Sequence, residues 1–153
     1  MLRSSRGDDG EGGTAVLSKL SKQDREEIFP RLREHSLERG DTLFLPGDKA
    51  DGVYFVKSGR LGVQTETGFA DRMQMVAFLD EGAPVGEGAL AGESAREIKV
   101  VAIEKTTVYH LSTHAFGELE KNNPTLAVQL LKRLLGTATV RLRANSKRLA
   151  RVL

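Results

Sequence analysis

Between Val85 and Ala102 the chain reads VGEGALAGESAREIKVVA, a stretch that sets Glu87 between two glycines and places Arg96 at the head of a β-branched run. Gly86 and Gly88 permit backbone conformations and close approaches that a Cβ would block. Residues 87–91 can form one helical turn, whose free N–H groups and dipole attract an anion. A carboxylate beside that turn would repel a phosphate unless it faces a neutral hydroxyl pair such as a ribose diol. Arg96 supplies the fixed fork of donors that suits a phosphate. A sugar phosphate with one group on each residue is therefore a coherent ligand. An ordinary surface ion pair between Glu87 and Arg96 is the competing reading of the same residues.

Other chemistry finds little footing. There are no cysteines, which excludes a disulfide framework, a thiolate metal site and a cysteine nucleophile, and fits a reducing, cytoplasmic setting. His35, His110 and His114 are the histidines, and a strand-to-helix change is expected between the last two, so no metal site is anticipated. No Walker loop, Gly-x-Ser-x-Gly or triad spacing occurs, and Glu26-Glu27 and Asp8-Asp9 read as solvated carboxylates, so no enzyme activity is expected. The start of the chain has no apolar core of a signal peptide, and no apolar run is long enough for a membrane span.

The elements that must position Glu87 and Arg96 follow from punctuation and period. A length of 153 residues suits one domain with extensions. Residues 1–16 read as a disordered arm of Gly, Ser and charge. Ser21 is a plausible N-cap for a short helix ended near Pro30. From Glu38, short apolar runs alternate with turn signals: RGDTLFLPGDKADG, then GVYFVKSGRLGVQTETG, RMQMVAFL, EIKVVAIE and TTVYHLS. Strands this short and this evenly spaced predict a small antiparallel barrel or roll. THAFGELEKN then reads as a short helix, and Pro124 opens a long one running to the end.

That last helix carries Leu131, Leu135, Ala138, Leu142, Asn145, Leu149 and Val152 at alternating spacings of four and three, a heptad seam. Packing on its own barrel and pairing with a second helix are both open for its first half. In the second half Arg141, Arg143, Lys147 and Arg148 leave only the narrow stripe that a two-helix seam needs. Net charge is only +2, yet beyond Leu131 the chain has seven Lys and Arg and no acid. A basic anchor for nucleic acid or an anionic membrane is a further reading of that face.

Taken in order, the short helix, glycine-punctuated strands, the GE(x)AL stretch, an arginine ten residues after Gly86 and two helices resemble the cyclic nucleotide-binding domain. The resemblance covers about Leu17 to Leu153. It implies an α+β fold: an antiparallel β-roll or jelly-roll barrel with a short N-terminal helix and C-terminal helices, over residues 17–122, with 123–153 as a long dimerisation and lid helix. It implies cAMP or cGMP as ligand, with no other cofactor. Glu87 would take the ribose 2′-hydroxyl, Arg96 the cyclic phosphate, and backbone N–H groups around Gly88 and Ala89 would complete the cradle. Arg141 falls near the base-contacting position of catabolite-activator-like members, although a solvated helix arginine is the alternative.

Two residues depart from the family pattern. Glu97 follows the arginine where a small residue is usual, and a carboxylate aimed at the phosphate from about 4 Å would cost on the order of 1–4 kcal/mol. Strand alternation offers it the opposite direction. Gly88 replaces a bulky apolar residue and loosens the turn. The expectation is a stand-alone sensor that homodimerises through its last helix and signals to an effector protein in trans, with no DNA-binding domain and no membrane contact. The alternative is the same fold without its ligand, serving as a protein-interaction module.

Overall fold

The computed structural model describes residues 15–68 and 72–152; the expected arm lies outside them up to residue 14. Val16, at the end of that expected arm, is instead fully buried. Ser21 caps helix α1 (Lys22–Ile28), its Oγ accepting from the Asp24 N–H at 3.1 Å. A single 3-10 turn containing Pro30 follows, Phe29–Arg31.

Among the described residues, eight strands form two antiparallel sheets. They are β1 (Arg33–Leu37), β2 (Thr42–Phe44), β3 (Gly52–Ser58), β4 (Leu61–Glu66), β5 (Met73–Leu79), β6 (Pro84–Val85), β7 (Lys99–Ala102) and β8 (Thr106–Ser112). One sheet has the order β1-β8-β3-β6 and the other β2-β7-β4-β5, so the roll expected from the strand spacing is present. Strand β1, REHSL, was not among the expected strands: four of its five residues are exposed, so no apolar alternation marks it, and it is held by pairing with β8.

The period of two sorts β3 between two cores. Tyr54 and Val56 point between the sheets, where Val56 meets Leu61, Val85, Val100 and Val108. Val53 and Phe55 point outward and are covered by helices, packing with Ile28, Leu111, Phe116, Leu119 and Leu126. Helix α2 (Thr113–Asn122) is capped by Ser112, whose Oγ accepts from the Ala115 N–H at 2.9 Å. Asn123 separates it from α3 (Pro124–Val152), its Oδ1 accepting from the Leu126 N–H while its Nδ2 donates to Glu27.

Helix α3 does not use the heptad seam to pack on the roll. Leu126, Ala127, Leu130, Leu134 and Thr137 form the buried face. Leu131, Leu135 and Leu142 stand outside it, with Leu135 67% exposed. The later seam residues Asn145, Leu149 and Val152 line a cleft against the second sheet. A straight helix of 3.6 residues per turn carries a heptad stripe progressively around its axis, so one stripe cannot keep a single environment along such a helix.

Candidate functional site

The cleft holds about 700 Å³ and lies between the concave side of β4 and β5 and the C-terminal half of α3. Val63, Met75, Ala77 and Ile98 make its apolar floor, Gly86 and Glu87 one wall, and Arg141 and Asn145 its roof.

Glu87 arrives there because β6 ends at Val85 and the next residue, Gly86, adopts φ 78° and turns the chain into the 3-10 segment Glu87–Ala91. Gly92, at φ 101°, ends that segment. Gly86 meets two demands at once: its left-handed backbone disfavours a side chain, and a Cβ there would overlap the Arg96 guanidinium. Within the turn the Ala89 N–H donates to the Gly86 carbonyl at 3.2 Å and Ala89 itself is buried, while the Gly88 carbonyl accepts from the Glu93 N–H at 3.0 Å. Neither Gly88 nor Ala89 reaches the cleft wall.

Arg96 is built in from the opposite side. Its backbone is laced to the loop before β3: its N–H donates to the Asp48 carbonyl at 2.7 Å, and its own carbonyl accepts from the Gly47 N–H at 2.8 Å. The side chain is only 2% exposed. Nη2 donates to the Gly52 carbonyl at 2.6 Å and to Asp51 Oδ1 at 3.4 Å, while Nη1 donates to the Gly86 carbonyl at 3.0 Å. The guanidinium lies over the Phe44 ring at 4.3 Å and nearer its edge of reach to Tyr54 at 5.8 Å, a desolvated cation against aromatic faces. Glu97, which precedes β7, is exposed and does not line the cleft.

Arg141 reaches from α3 to the same wall. Its Nη2 donates to the Pro84 carbonyl at 2.6 Å, and its Nη1 stands 3.8 Å from Glu87 Oε1. Burial lowers its pKa, partly offset by the Glu87 charge. Glu87 Oε1 is buried without a hydrogen-bond partner. The structure therefore joins Glu87 to Arg141 directly and joins Arg96 to them through the Gly86 carbonyl, whereas Arg96 itself, like Gly88, Ala89 and Glu97, does not line the cleft.

Sequence reasoning missed Asp51, Phe44 and Tyr54 as partners of Arg96. Asp51 and Gly52 read as turn residues, and no spacing signal links them to an arginine more than forty positions on. Backbone pairing around Lys49 and Ala95, with the Gly47 N–H donating to the Arg96 carbonyl, brings the two loops together.

With this geometry in hand, the comparisons with known proteins are specific about the fold. The family model of the cyclic nucleotide-binding domain matches residues 34–123. A cyclic nucleotide-binding domain from Methylobacillus flagellatus superposes with a TM-score of 0.82 at 24% identity, over 92% of this chain and 78% of that one. The catabolite activator protein of Thermus thermophilus gives 0.73 at 23% identity, over 90% of this chain and 62% of that one. A cAMP-dependent protein kinase regulatory subunit of Debaryomyces hansenii is 29% identical over 104 residues, which is 68% of this chain and 22% of that protein. The lysophospholipase nte1 of Aspergillus terreus is 28% identical over 113 residues, 69% of this chain but 7% of that protein. The chain thus spans well under a third of these two longer relatives. Two antiparallel sheets, the turn at Gly86 with its buried arginine, and the match over residues 34–123 agree: the chain belongs to the cyclic nucleotide-binding domain family.

Proposed function

We propose that the protein binds a cyclic nucleotide, cAMP or cGMP, in the cleft beneath α3 and reports occupancy through that helix. The observation that carries this reading is Glu87, a residue of the cleft wall whose buried Oε1 has no hydrogen-bond partner. Leaving a buried acceptor unsatisfied costs about 1–3 kcal/mol, and a ribose hydroxyl donating to it would recover that cost. Arg96 complements it. Gly52 and Asp51 hold Nη2 from behind, so a phosphate arriving at Gly86 competes with a single carbonyl for Nη1. Regulatory subunits named as cAMP-dependent are among the relatives, which supports the same ligand class.

Signalling follows from Arg141. It ties α3 to Glu87 and to the Pro84 carbonyl, so a ribose on Glu87 competes with the helix for the same carboxylate. A ligand shifts α3 only by its different affinity for the two arrangements, and this competition supplies such a difference. The exposed Leu131, Leu135 and Leu142 suit a homodimer seam, with an effector protein reading the helix in trans.

One observation favours the alternative of a ligand-free interaction module: Arg96 already has three acceptors and Glu87 an ion-pair partner. Calorimetric titration with cAMP and cGMP separates the two. Binding that weakens strongly in Glu87→Gln supports the sensor; no heat and no thermal shift at about millimolar ligand, where a weak site with ΔG near −4 kcal/mol would still register, leaves the interaction module.

A further inference from the structure

Asp51 is shared. Its Oδ1 stands 3.4 Å from Arg96 Nη2 and 3.6 Å from His110 Nε2, and that ring nitrogen is buried without a hydrogen-bond partner. His110 sits in the middle of the first sheet, where β8 pairs with both β1 and β3. Its ring stacks on Tyr54 at 4.5 Å, and Nε2 lies so close to Gly52 that a Cβ there would fall 2.6 Å from it. His35 of β1 is 6.0 Å away between ring centroids, and the exposed Arg33 is its partner in register. The charged and titratable groups around His110 are therefore one acid, Asp51, against Arg96, His35 and Arg33, with the neutral Tyr54 beneath it.

We propose that His110 and Arg96 compete for Asp51 as a common counter-ion, so that protonation of His110 raises the affinity of the neighbouring cleft for an anionic ligand. With His110 neutral, the Arg96 and Asp51 charges cancel. When the imidazole takes its second proton, the imidazolium turns its Nε2–H on Asp51 Oδ1, and the trio of Arg96, Asp51 and His110 gains one positive charge beside the Gly86 wall. The phosphodiester of a cyclic nucleotide stays ionised throughout this range, so the added charge acts on an unchanged anion. By linkage, the bound anion raises the proton affinity of His110 by the same factor. Burial, together with His35 and Arg96, lowers the His110 pKa from its ordinary 6.5, while Asp51 acts to raise it, which sets the response on the acid side of neutrality. For the nucleotide this inference rests on the function proposed above; the coupling of His110 to Arg96 does not.

The test has two arms on the full chain. In the ligand-free protein, ¹⁵N NMR from about pH 8 to about pH 5 follows the His110 ring and the Arg96 side-chain N–H signals across the range in which a histidine titrates. A shared midpoint, displaced to lower pH in Asp51→Asn, supports the common counter-ion; Arg96 signals that ignore the His110 titration overturn it. In the second arm cAMP and cGMP are titrated at both ends of the range. Wild type is expected to bind about three- to tenfold tighter in acid, as one screened charge implies, and His110→Gln to bind equally at both. An acid-to-neutral affinity ratio of one in wild type, or an undiminished ratio in His110→Gln, overturns the proposal. No binding at either pH refutes the nucleotide reading instead, and the first arm then decides the counter-ion by itself.

Discussion

Glu87 Oε1 and Arg141 Nη1 face each other at 3.8 Å across the gap between the 3-10 turn and α3. The contact spans more than fifty residues of sequence and places the one buried carboxylate oxygen without a hydrogen bond, among the described residues, against the middle of the long helix. Replacing Glu87 by Gln keeps the shape and removes the charge. Cyclic nucleotide affinity is expected to fall by at least about tenfold, the loss associated with one charge-assisted hydrogen bond, as read by calorimetry.

Arg141→Ala removes both the ion pair and the donor to the Pro84 carbonyl. The C-terminal half of α3, whose residues beyond Arg141 are exposed, should then leave the cleft more often. Hydrogen exchange is expected to accelerate over residues 141–152 and to stay unchanged over residues 126–134, which the roll covers. Equal exchange over residues 141–152 in wild type and Arg141→Ala would contradict a latch at Arg141.

Gly86→Ala is expected to destabilise the fold by about 2 kcal/mol or more, because the left-handed conformation and the Arg96 guanidinium both oppose a Cβ. Chemical denaturation measures it. Gly40 is also left-handed but has nothing within reach of a Cβ, so Gly40→Ala should lose only the conformational part, about 1 kcal/mol.

A double substitution, Leu135→Glu with Leu142→Glu, touches the outward face of α3 without entering either core. If that face joins two copies, sedimentation shows a dimer in wild type and a monomer in the variant, with the melting of the roll itself little changed. A wild-type monomer would count against the seam.

Acid should cost the protein stability through His110. Its pKa is lowered in the folded state, chiefly by burial, so the unfolded chain binds the proton first. Stability from this group is whole above the unfolded value of 6.5 and is lost as pH falls through that value toward the lower folded one. Melting temperatures from about pH 8 to about pH 5 should fall less in His110→Gln than in wild type, across the range set by an ordinary histidine.

Much of the scaffold was legible because it is written in local signals. TTVYHLS is β8 and THAFGELEKN is α2, residue for residue, since a β-branched run bounded by turn residues and a Ser cap need no distant partner to declare themselves. Strand β1 was not legible, because REHSL carries no apolar period and is a strand only through its ladder with β8. Glu97 is exposed although it precedes β7 and so lies outside any strand alternation, and the saturation of Arg96 by Asp51 and the carbonyls of Gly52 and Gly86 has no local signal either.

The chain by itself determined the order and kind of its elements apart from such strands as β1, the glycines that allow the turn at residue 86, and the presence of an acid and a base within ten residues of each other. Tertiary structure decided what those two residues touch. Glu87 meets a helix from the far end of the chain, Arg96 meets a loop from its first third, and the heptad stripe divides between solvent and cleft. Local propensity and period are properties of neighbouring residues, whereas charge pairing and burial depend on which distant backbones the two sheets bring together.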